Sequence, residues 1–480
     1  MSKIIGSVKW VAFETILAKA LGLSMTLYVA RLLGPQAMGT IALILIAIEV
    51  FNLFSQLGIT QALIHYKNPS REQLATLYTV NWLFAVLSYV AILFASPFLA
   101  NFFNNSMLAE LLPVAGLSLL VSAAGQQTLT LLQKELMFKA TAFIALAGVL
   151  TNFAVTITLV NNGWGIWSIV IGQVSGIFTR NVSAIFYAFN RGLFSGFGIS
   201  FRTIKPLISF GLYQTGAMSM NMINSRVDQA IIGKTIGESA LGIYSVGSQI
   251  TLQTMQQINS IATRVTFPAI SKEQGNLIVV KEIYLNMIAN VLLVSAPIFL
   301  GLSALSSIFV DVVLGSKWVG LSTVLSILCG YVLIRSLGNM NGPLVMGLGK
   351  ANWAFYWNLG LLVLIPTVVF LTSLYGDIEL VATSLLATQL VLIFVAYFYW
   401  VRRLIGPCLH EYVSTITRPI SAATLMALLL YFVQHYYSFE NDLLSLTILV
   451  LLGSFTYLFF SFFINKSNTL GFIRYLINKV

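Results

Sequence analysis

Long runs of apolar residues, separated by short polar segments, dominate the chain from beginning to end. A helix needs about 20 apolar residues to cross the ~30 Å hydrocarbon core of a bilayer, and fourteen windows of the sequence have this character. They lie near residues 9–30, 37–62, 76–100, 108–133, 140–160, 164–188, 207–233, 240–263, 282–308, 319–346, 352–374, 380–401, 413–434 and 443–464. The pattern predicts an all-α integral membrane protein with fourteen transmembrane helices.

A twelve-residue motif recurs in the second half of the chain. RLLGPQAMGTIA occupies residues 31–42 and KTIGESALGIYS occupies residues 234–245, and a basic residue, two glycines and an alanine match at a constant offset of 203 residues. The second glycine of each copy, Gly39 or Gly242, is expected to close a turn. The repetition predicts a chain made of two related halves.

A second match, between SREQ at residues 70–73 and SKEQ at residues 271–274, has an offset of 201 residues and supports the repeat. Two six-helix lobes in parallel pseudo-repeat, followed by two further helices, account for all the windows. The predicted divisions are an N-lobe at 1–190, a cytoplasmic linker at 191–206, a C-lobe at 207–405, and two C-terminal helices with a cytoplasmic tail at 406–480.

Composition and charge place the chain in a membrane and give it an orientation. Hydrophobic residues make up 58% of the chain and charged residues 9%, with a mean hydropathy of +0.88. If the N-terminus is cytoplasmic, most of the 26 Lys and Arg residues fall in inner segments, and the outer loops hold only Arg31, Lys234 and Lys317. Both termini are therefore predicted to be cytoplasmic. The net charge of +11 is scattered, which excludes a nucleic-acid-binding patch.

The sequence contains no catalytic or metal-binding constellation. His65, His410 and His435 lie at separate predicted helix ends, and Cys329 and Cys408 lie in or beside apolar runs. No glycine-rich loop precedes a lysine and a Ser or Thr in the way that ATP-hydrolysing loops require. We therefore predict neither an enzyme nor a cofactor or metal site. An ion gradient, a substrate gradient or a partner remains as the source of energy, with H+ and Na+ as the candidate coupling ions.

Polar residues recur on one face of four predicted helices, at intervals of three or four residues. The stripes are Glu49, Asn52 and Gln56; Gln126, Thr130 and Gln133; Gln214, Asn221, Ser225 and Asp228; and Gln249, Gln253, Gln256 and Ser260. Stripes in both lobes favour a water-filled cavity, whereas bonding across packed helices is the alternative for any single residue. The residues assigned to the cavity are Gln126, Asn221, Asp228, Gln249, Gln253 and Gln256.

Three ionisable residues inside predicted helices are candidates for ion pairing or coupling, because a charge near the bilayer centre costs a few kcal/mol unless it is paired or hydrated. Lys19 and Glu49 lie at matching depths, about 15 and 12 Å from the inner edge of the hydrocarbon. We predict that they pair, and a purely stabilising pair is the alternative to a coupling role. Glu14 is the candidate proton- or cation-responsive group, or else a residue of the cytoplasmic vestibule.

Four segments resemble a known family. They are VARLLGPQAMG at 29–39, GQQTLTLLQKELMF at 125–138, RVTFPAISKEQ at 264–274, and IRSLGN followed by MGLGK within 334–350. In these segments and in its six-plus-six-plus-two plan, the chain resembles the Wzx-type O-unit flippases, and most closely the colanic-acid-exporter subgroup. These proteins form a polysaccharide-transporter branch of the multidrug/oligosaccharidyl-lipid/polysaccharide exporter (MOP) superfamily, which also contains the MATE transporters. The resemblance covers residues from about 5 to 405.

The resemblance implies transport of an undecaprenyl-diphosphate-linked oligosaccharide from the cytoplasmic to the periplasmic leaflet by alternating access. A polysaccharide polymerase and export machinery are then the expected protein partners, and membrane lipids the surroundings. Arg335, with Asn339 on the same helix face, is the candidate diphosphate ligand, because a guanidinium can hold two phosphate oxygens at once. Snorkelling to the inner interface is the alternative for Arg335, and it is our interpretation of Arg226.

Three other functions remain open at this point. A cation-coupled multidrug extruder of the same superfamily would share the architecture, and a lipid II flippase would share the substrate class as well. A non-transporting membrane scaffold for glycan-synthesis enzymes is the alternative from another class. Substitutions in the polar stripes would be silent in a scaffold and harmful in a transporter.

Overall fold

The computed structural model describes residues 2–56, 63, 70–192, 196–200, 222, 225–436 and 442–465, which contain helices and no strand. The helices are α1 Ser2–Leu33, α2 Pro35–Gln56, α3 Arg71–Phe103, α4 Met107–Lys134, α5 Phe138–Asn161, α6 Trp167–Phe189, α7 225–235, α8 Glu238–Lys272, α9 Leu277–Ala304, α10 Ser306–Val313, α11 Leu321–Asn339, α12 Asn341–Gly347, α13 Ala351–Ser373, α14 Ile378–Ala396 with its π-helical extension Tyr397–Val401, α15 Arg402–Ile405, α16 Leu409–Tyr436 and α17 Asp442–Ile464.

Twelve helical segments in the described part of the chain are long and apolar enough to cross a membrane. They coincide with twelve of the predicted windows. The window at 207–233 lies largely outside the described residues. The window at 240–263 lies in α8, a continuous helix of 35 residues whose polar stripe lowers its hydropathy. The prediction of an all-α membrane protein is confirmed, and the count of fourteen helices stays a prediction.

The two segments of the SREQ match occupy different structural positions. Ser70 begins α3 with a capping box, in which its side chain accepts a hydrogen bond from the Gln73 N–H and the Gln73 side chain accepts one from the Ser70 N–H. The SKEQ segment instead ends α8, and the Gln274 side chain donates to the carbonyl oxygen of Gly347 at 2.6 Å. In chain order, however, both segments lie between the second and third helices of their half, since SREQ precedes α3 and SKEQ precedes α9. Their place in the structural repeat stays a prediction.

Residues 1–242 form one compact unit, in which α5 packs most extensively on α6 and α4 packs on both α3 and α6. Glycines allow the α5–α6 approach. A Cβ atom at Gly172 would lie 1.9 Å from Thr156 Oγ1, and one at Gly176 would lie 2.7 Å from the carbonyl oxygen of Gly148. Small residues spaced by four are a common means of bringing two helix backbones together in a membrane.

Residues 243–480 form the second compact unit, in which α9 packs on α16, α11 on α14, and α16 on α17. A buried hydrogen bond of 2.5 Å from the Tyr284 hydroxyl to Asn341 Oδ1 joins α9 to α12. The α13 helix differs from its neighbours, since only 6% of its candidate membrane span is buried. The predicted linker at 191–206 and the predicted end of the C-lobe at residue 405 stay predictions.

Candidate translocation site

The repeated motif forms the beginnings of α2 and α8. Within the motif, the first glycine of each copy has a left-handed backbone: φ is 83° at Gly34 and 114° at Gly237. Each lies immediately before its helix, which begins at Pro35 or Glu238, and a side chain at either position would be strained. Gly39 and Gly242 lie inside the helices. The prediction that this second pair closes the turns is therefore wrong.

Gly39 and Gly242 instead allow two helix backbones to cross in contact. A Cβ atom on Gly39 would lie 1.9 Å from the carbonyl oxygen of Glu238, and one on Gly242 would lie 1.8 Å from the carbonyl oxygen of Pro35. Pro35 and Glu238 are themselves separated by the repeat offset of 203 residues. The two contacts are thus the same contact seen from either copy, as at a two-fold interface between identical subunits.

Hydrogen bonds tie this crossing to the segment between α3 and α4. Thr40 Oγ1 donates to Glu238 Oε2 at 3.2 Å, and Asn105 Nδ2 donates to Thr40 Oγ1 at 3.0 Å. Lys234 Nζ donates to the carbonyl oxygen of Phe102 at 2.6 Å. Thr40 and Asn105 are buried, so the polar groups at the crossing are paired rather than exposed to lipid.

A bidentate ion pair joins α2 to α7. Arg226 Nε donates to Glu49 Oε2 at 2.8 Å, and Arg226 Nη2 donates to Glu49 Oε1 at 2.7 Å. The Arg226 and Glu49 side chains are 33% and 41% exposed, so that the pair faces an open surface of the unit. Lys19 is exposed on α1 and forms no ion pair within the described residues. The predicted pair of Lys19 and Glu49 is wrong.

The direction of side chains on a helix explains the partner that the sequence analysis missed. Arg226 lies about 12 Å from Lys234 along α7, and Glu49 lies about 21 Å from Pro35 along α2. Side chains lean toward the N-terminus of their own helix, and the long arginine therefore reaches deeper while the glutamate leans back. The two groups meet between these depths, and the snorkelling interpretation of Arg226 is wrong.

Glu14 has a basic neighbour that the sequence did not indicate. Arg180, on α6, lies within electrostatic range of Glu14 on α1. The Thr15 hydroxyl also donates to Glu14 Oε2 at 3.3 Å. The carboxylate of Glu14 is half-buried and its charge is partly balanced. Its role as a proton- or cation-responsive group stays a prediction.

The glutamine stripe on α8 keeps one face open within residues 243–480. Gln253 and Gln256 are exposed, and Gln249 and Ser260 are half-buried. A polar face that is not packed against other helices is what a water-filled cavity requires. The assignment of this stripe to a cavity stays a prediction.

The stripe on α4 is mixed. Gln126 is half-buried and Gln133 is exposed, but Thr130 is buried and donates to the carbonyl oxygen of Gln126 at 2.9 Å. The neighbouring Gln127 side chain donates to the carbonyl oxygen of Leu74 at 2.8 Å, across to α3. Part of the polarity of α4 therefore serves helix packing.

The stripes on α2 and α7 are described only in part. Asn52 is half-buried. Asp228 is also half-buried, and its Oδ1 accepts a hydrogen bond from the Gln229 N–H at 2.8 Å. Gln214, Asn221 and the side chain of Gln56 lie outside the described residues. Their assignment to the cavity stays a prediction.

Arg335 points away from the nearer end of its helix. Its Nη1 donates to the Tyr331 hydroxyl at 2.7 Å, and its guanidinium carbon lies 5.6 Å from the centre of the Tyr331 ring. Tyr331 lies one turn toward the N-terminus of α11, whereas the helix ends four residues beyond Arg335 at Asn339. A snorkelling arginine would extend toward that near end. Asn339 is exposed, and its Nδ2 lies 3.9 Å from Met255 Sδ on α8.

Comparison with known proteins assigns this architecture to a family. The family described as polysaccharide biosynthesis protein matches residues 28–323. The chain belongs to this family. It is 30% identical over 407 residues to the teichuronic acid biosynthesis protein TuaB of Bacillus subtilis (strain 168), covering 84% of this chain and 83% of the relative. It is 27% identical over 421 residues to the lipopolysaccharide biosynthesis protein WzxC of Escherichia coli (strain K12), covering 87% and 85%.

The fold has a solved counterpart. The lipid II flippase MurJ in an inward closed conformation superposes with a TM-score of 0.78 at 15% identity, covering 95% of this chain and 98% of MurJ. The resemblance to Wzx-type polysaccharide flippases of the MOP superfamily is confirmed, and with it the prediction that the chain is a transporter rather than an enzyme. The family match includes the glycine crossing and the Arg226–Glu49 pair, and ends before Arg335.

Proposed function

We propose that this protein is a flippase that moves undecaprenyl-diphosphate-linked oligosaccharide repeat units from the cytoplasmic to the periplasmic leaflet by alternating access. Exopolysaccharide, O-antigen or capsule would be the product that the repeat units build. The family match supports a lipid-linked glycan as substrate, as do the names of relatives, which refer to lipopolysaccharide and teichuronic acid biosynthesis.

The observation that carries the proposal is the half-exposed ion pair between Arg226 and Glu49, which joins two helices of a membrane protein. A guanidinium that binds two carboxylate oxygens has the geometry to bind two oxygens of a diphosphate. In the absence of substrate, the Glu49 carboxylate pairs with the Arg226 guanidinium. Displacement of Glu49 by the diphosphate links substrate binding to the release of a contact between α2 and α7.

Within residues 243–480, the α8 stripe and Arg335 offer further groups of the kinds that a glycan and a phosphate bind. The exposed amides of Gln253 and Gln256 can donate to and accept from sugar hydroxyls, which a purely apolar path cannot do. Arg335 offers a second guanidinium, oriented by Tyr331. Its direction away from the near helix end supports a role in anion binding over simple anchoring.

The orientation of the protein belongs to the same proposal. The distribution of basic residues supports cytoplasmic termini and insertion in the bacterial inner membrane. Two six-helix lobes joined by residues 191–206 would provide the two halves that alternating access requires. Glu14 is the candidate for coupling to H+ or Na+, with Arg180 as its electrostatic neighbour.

The test is deletion of the gene followed by analysis of lipid-linked intermediates. We expect complete repeat units to accumulate on the cytoplasmic leaflet and surface glycan to be lost. Loss of drug resistance alone would favour the multidrug extruder, and accumulation of lipid II would favour the lipid II flippase.

Complementation of the deletion strain then tests the ion pair. Arg226→Lys keeps a charge but not the fork, and should be inserted normally yet restore little glycan. Arg418→Lys, the same change at an exposed arginine of α16, is the matched control and should restore wild-type glycan. Full restoration by Arg226→Lys would contradict the role of the pair, and restoration by every stripe and pair variant would favour a scaffold.

A further inference from the structure

An aromatic cluster lies where α13 begins and α14 ends, and the translocation site does not include it. We call Trp353, Trp357, Tyr399 and Trp400 the α13–α14 cluster. The Trp357 ring lies 4.8 Å from the Trp400 ring and 6.1 Å from the Tyr399 ring, and the Trp353 ring lies 5.8 Å from the Tyr399 ring, all between centroids. Trp353, Trp357 and Tyr399 are half-buried, so this packing leaves part of each ring accessible.

A π-helical turn at Tyr397–Val401 builds the cluster. The Arg402 N–H donates to the carbonyl oxygen of Tyr397, five residues earlier, and the Tyr397 hydroxyl accepts from the Cys408 N–H at 3.1 Å, which fixes the turn. The wider turn allows the consecutive rings of Tyr399 and Trp400 both to contact one indole. Single π turns inside α-helices are rare and occur frequently at functional sites.

Three cations border the cluster. Arg402 and Arg403 are exposed in α15, and the Arg403 guanidinium carbon lies 5.4 Å from the centre of the Tyr399 ring. Lys350 is exposed at the start of α13, and its carbonyl oxygen accepts from the Trp353 N–H at 2.9 Å. None of the three forms an ion pair within the described residues. The positive charge at this end is therefore not balanced by the protein in that part of the chain.

An apolar face runs along α13 from the cluster. Leu361 and Leu364 follow Trp357 at intervals of four and seven residues; Leu361 is half-buried and Leu364 is 39% exposed. Residues at this spacing line one side of a helix. A basic and aromatic end followed by an apolar stripe matches the chemistry of a phospholipid, with an anionic headgroup and acyl chains.

We propose that the α13–α14 cluster binds the headgroup of an anionic phospholipid, with the phosphate between the cations and an acyl chain along α13. The Trp400 indole N–H is buried without a partner among the described residues and is a further donor beside the rings. The unbalanced charge favours an anionic lipid over a zwitterionic one. This proposal does not depend on the transported substrate, because it concerns a surface of α13–α15 outside the polar stripes.

Native mass spectrometry of the purified protein with phosphatidylglycerol or phosphatidylcholine tests the proposal. A Lys or Arg near an anionic headgroup contributes about fivefold in affinity. Arg403→Gln should therefore weaken phosphatidylglycerol binding about fivefold and leave phosphatidylcholine binding unchanged. Arg418→Gln, which removes an exposed arginine without an aromatic contact in the described structure, is the matched control and should change neither affinity.

Two further variants separate charge from stacking. Arg402→Gln with Arg403→Gln should abolish the preference for phosphatidylglycerol, and Trp357→Leu should weaken both lipids while the protein keeps its elution volume in size-exclusion chromatography. Equal effects of Arg403→Gln and Arg418→Gln would overturn the proposal. Displacement of phosphatidylglycerol by equimolar undecaprenyl diphosphate would overturn it in favour of a site for the lipid carrier.

Discussion

Adding a single methyl group at the glycine crossing should destabilise the protein. In Gly39→Ala the new Cβ would lie 1.9 Å from the Glu238 carbonyl oxygen and 2.7 Å from its carbonyl carbon. The backbones of α2 and α8 must separate by about 1.1 Å before this contact reaches 3.0 Å, the limit below which real Cβ contacts hardly occur. Overpacking costs about 1–3 kcal/mol where side chains adjust. Because the obstacle is helix backbone, we expect a cost near 3 kcal/mol.

The reciprocal geometry makes a second and sharper prediction. Gly242→Ala meets the Pro35 carbonyl oxygen at 1.8 Å and should cost about as much as Gly39→Ala. One separation of the two helices relieves both clashes, because both involve the same two helical turns. The double variant should therefore cost clearly less than the sum of the single variants, whereas independent sites would add to within about 0.5 kcal/mol.

Thermal unfolding in detergent, followed by size-exclusion chromatography after heating, measures the effect. Gly22→Ala and Gly360→Ala are matched controls, since each glycine is helical and no described atom lies within 4 Å of an added Cβ. Alanine is the better helix former by up to about 1 kcal/mol, so the controls should be neutral or stabilised. A Gly39→Ala protein as stable as Gly22→Ala, or strictly additive losses in the double variant, would refute the reasoning.

Further variants test the charged and buried polar groups. Neutralising Glu49 or Arg226 alone should lower the free energy of unfolding by about 1–2 kcal/mol, a value between those of exposed and buried ion pairs. In a double-mutant cycle, neutralising both should cost less than the sum of the single changes, and additive losses would contradict the pair. Tyr284→Phe leaves the buried Asn341 amide without its donor, and the melting temperature should fall in line with about 1–3 kcal/mol; an unchanged value would contradict that bond. The Arg335→Lys protein should insert normally and transport poorly, as measured by surface glycan in the complemented deletion strain. Near-normal surface glycan would contradict the assignment of Arg335 to anion binding.

The class of fold could be predicted from the sequence because hydrophobic length alone decides it. Each window of about 20 apolar residues satisfies its own backbone as a helix, whatever its neighbours are. For two segments the sequence was a less direct guide to the structure. The α8 helix carries a polar stripe that hides its length from a hydropathy average, and SKEQ repeats the letters of a capping box at the end of a helix rather than at its beginning.

The candidate site was harder to predict, because it depends on which helices are neighbours. Depth counted along one helix matched Glu49 to Lys19, and only the packing of α7 brings Arg226 within 2.7 Å of Glu49. The depth comparison left out the length of each side chain and its tilt toward the N-terminus of its helix. In the same way, the repeated glycines were visible in the sequence, but their function as a contact between backbones required the crossing itself.

The repeat is symmetric where it holds the helices together and asymmetric where it carries charge. At the crossing, Gly39 and Gly242 occupy positions related by the offset of 203 residues, and each copy makes the same contact. Applied to the ion pair, the same offset relates Glu49 to Leu252 and Arg226 to Leu23. Two leucines at the related positions satisfy a membrane helix without desolvating any charge, so helix packing alone does not require the ion pair. The chain thus has charged residues at Glu49 and Arg226 and leucines at the two positions related to them by the offset. This asymmetry is what the proposed binding of a ligand by the ion pair predicts.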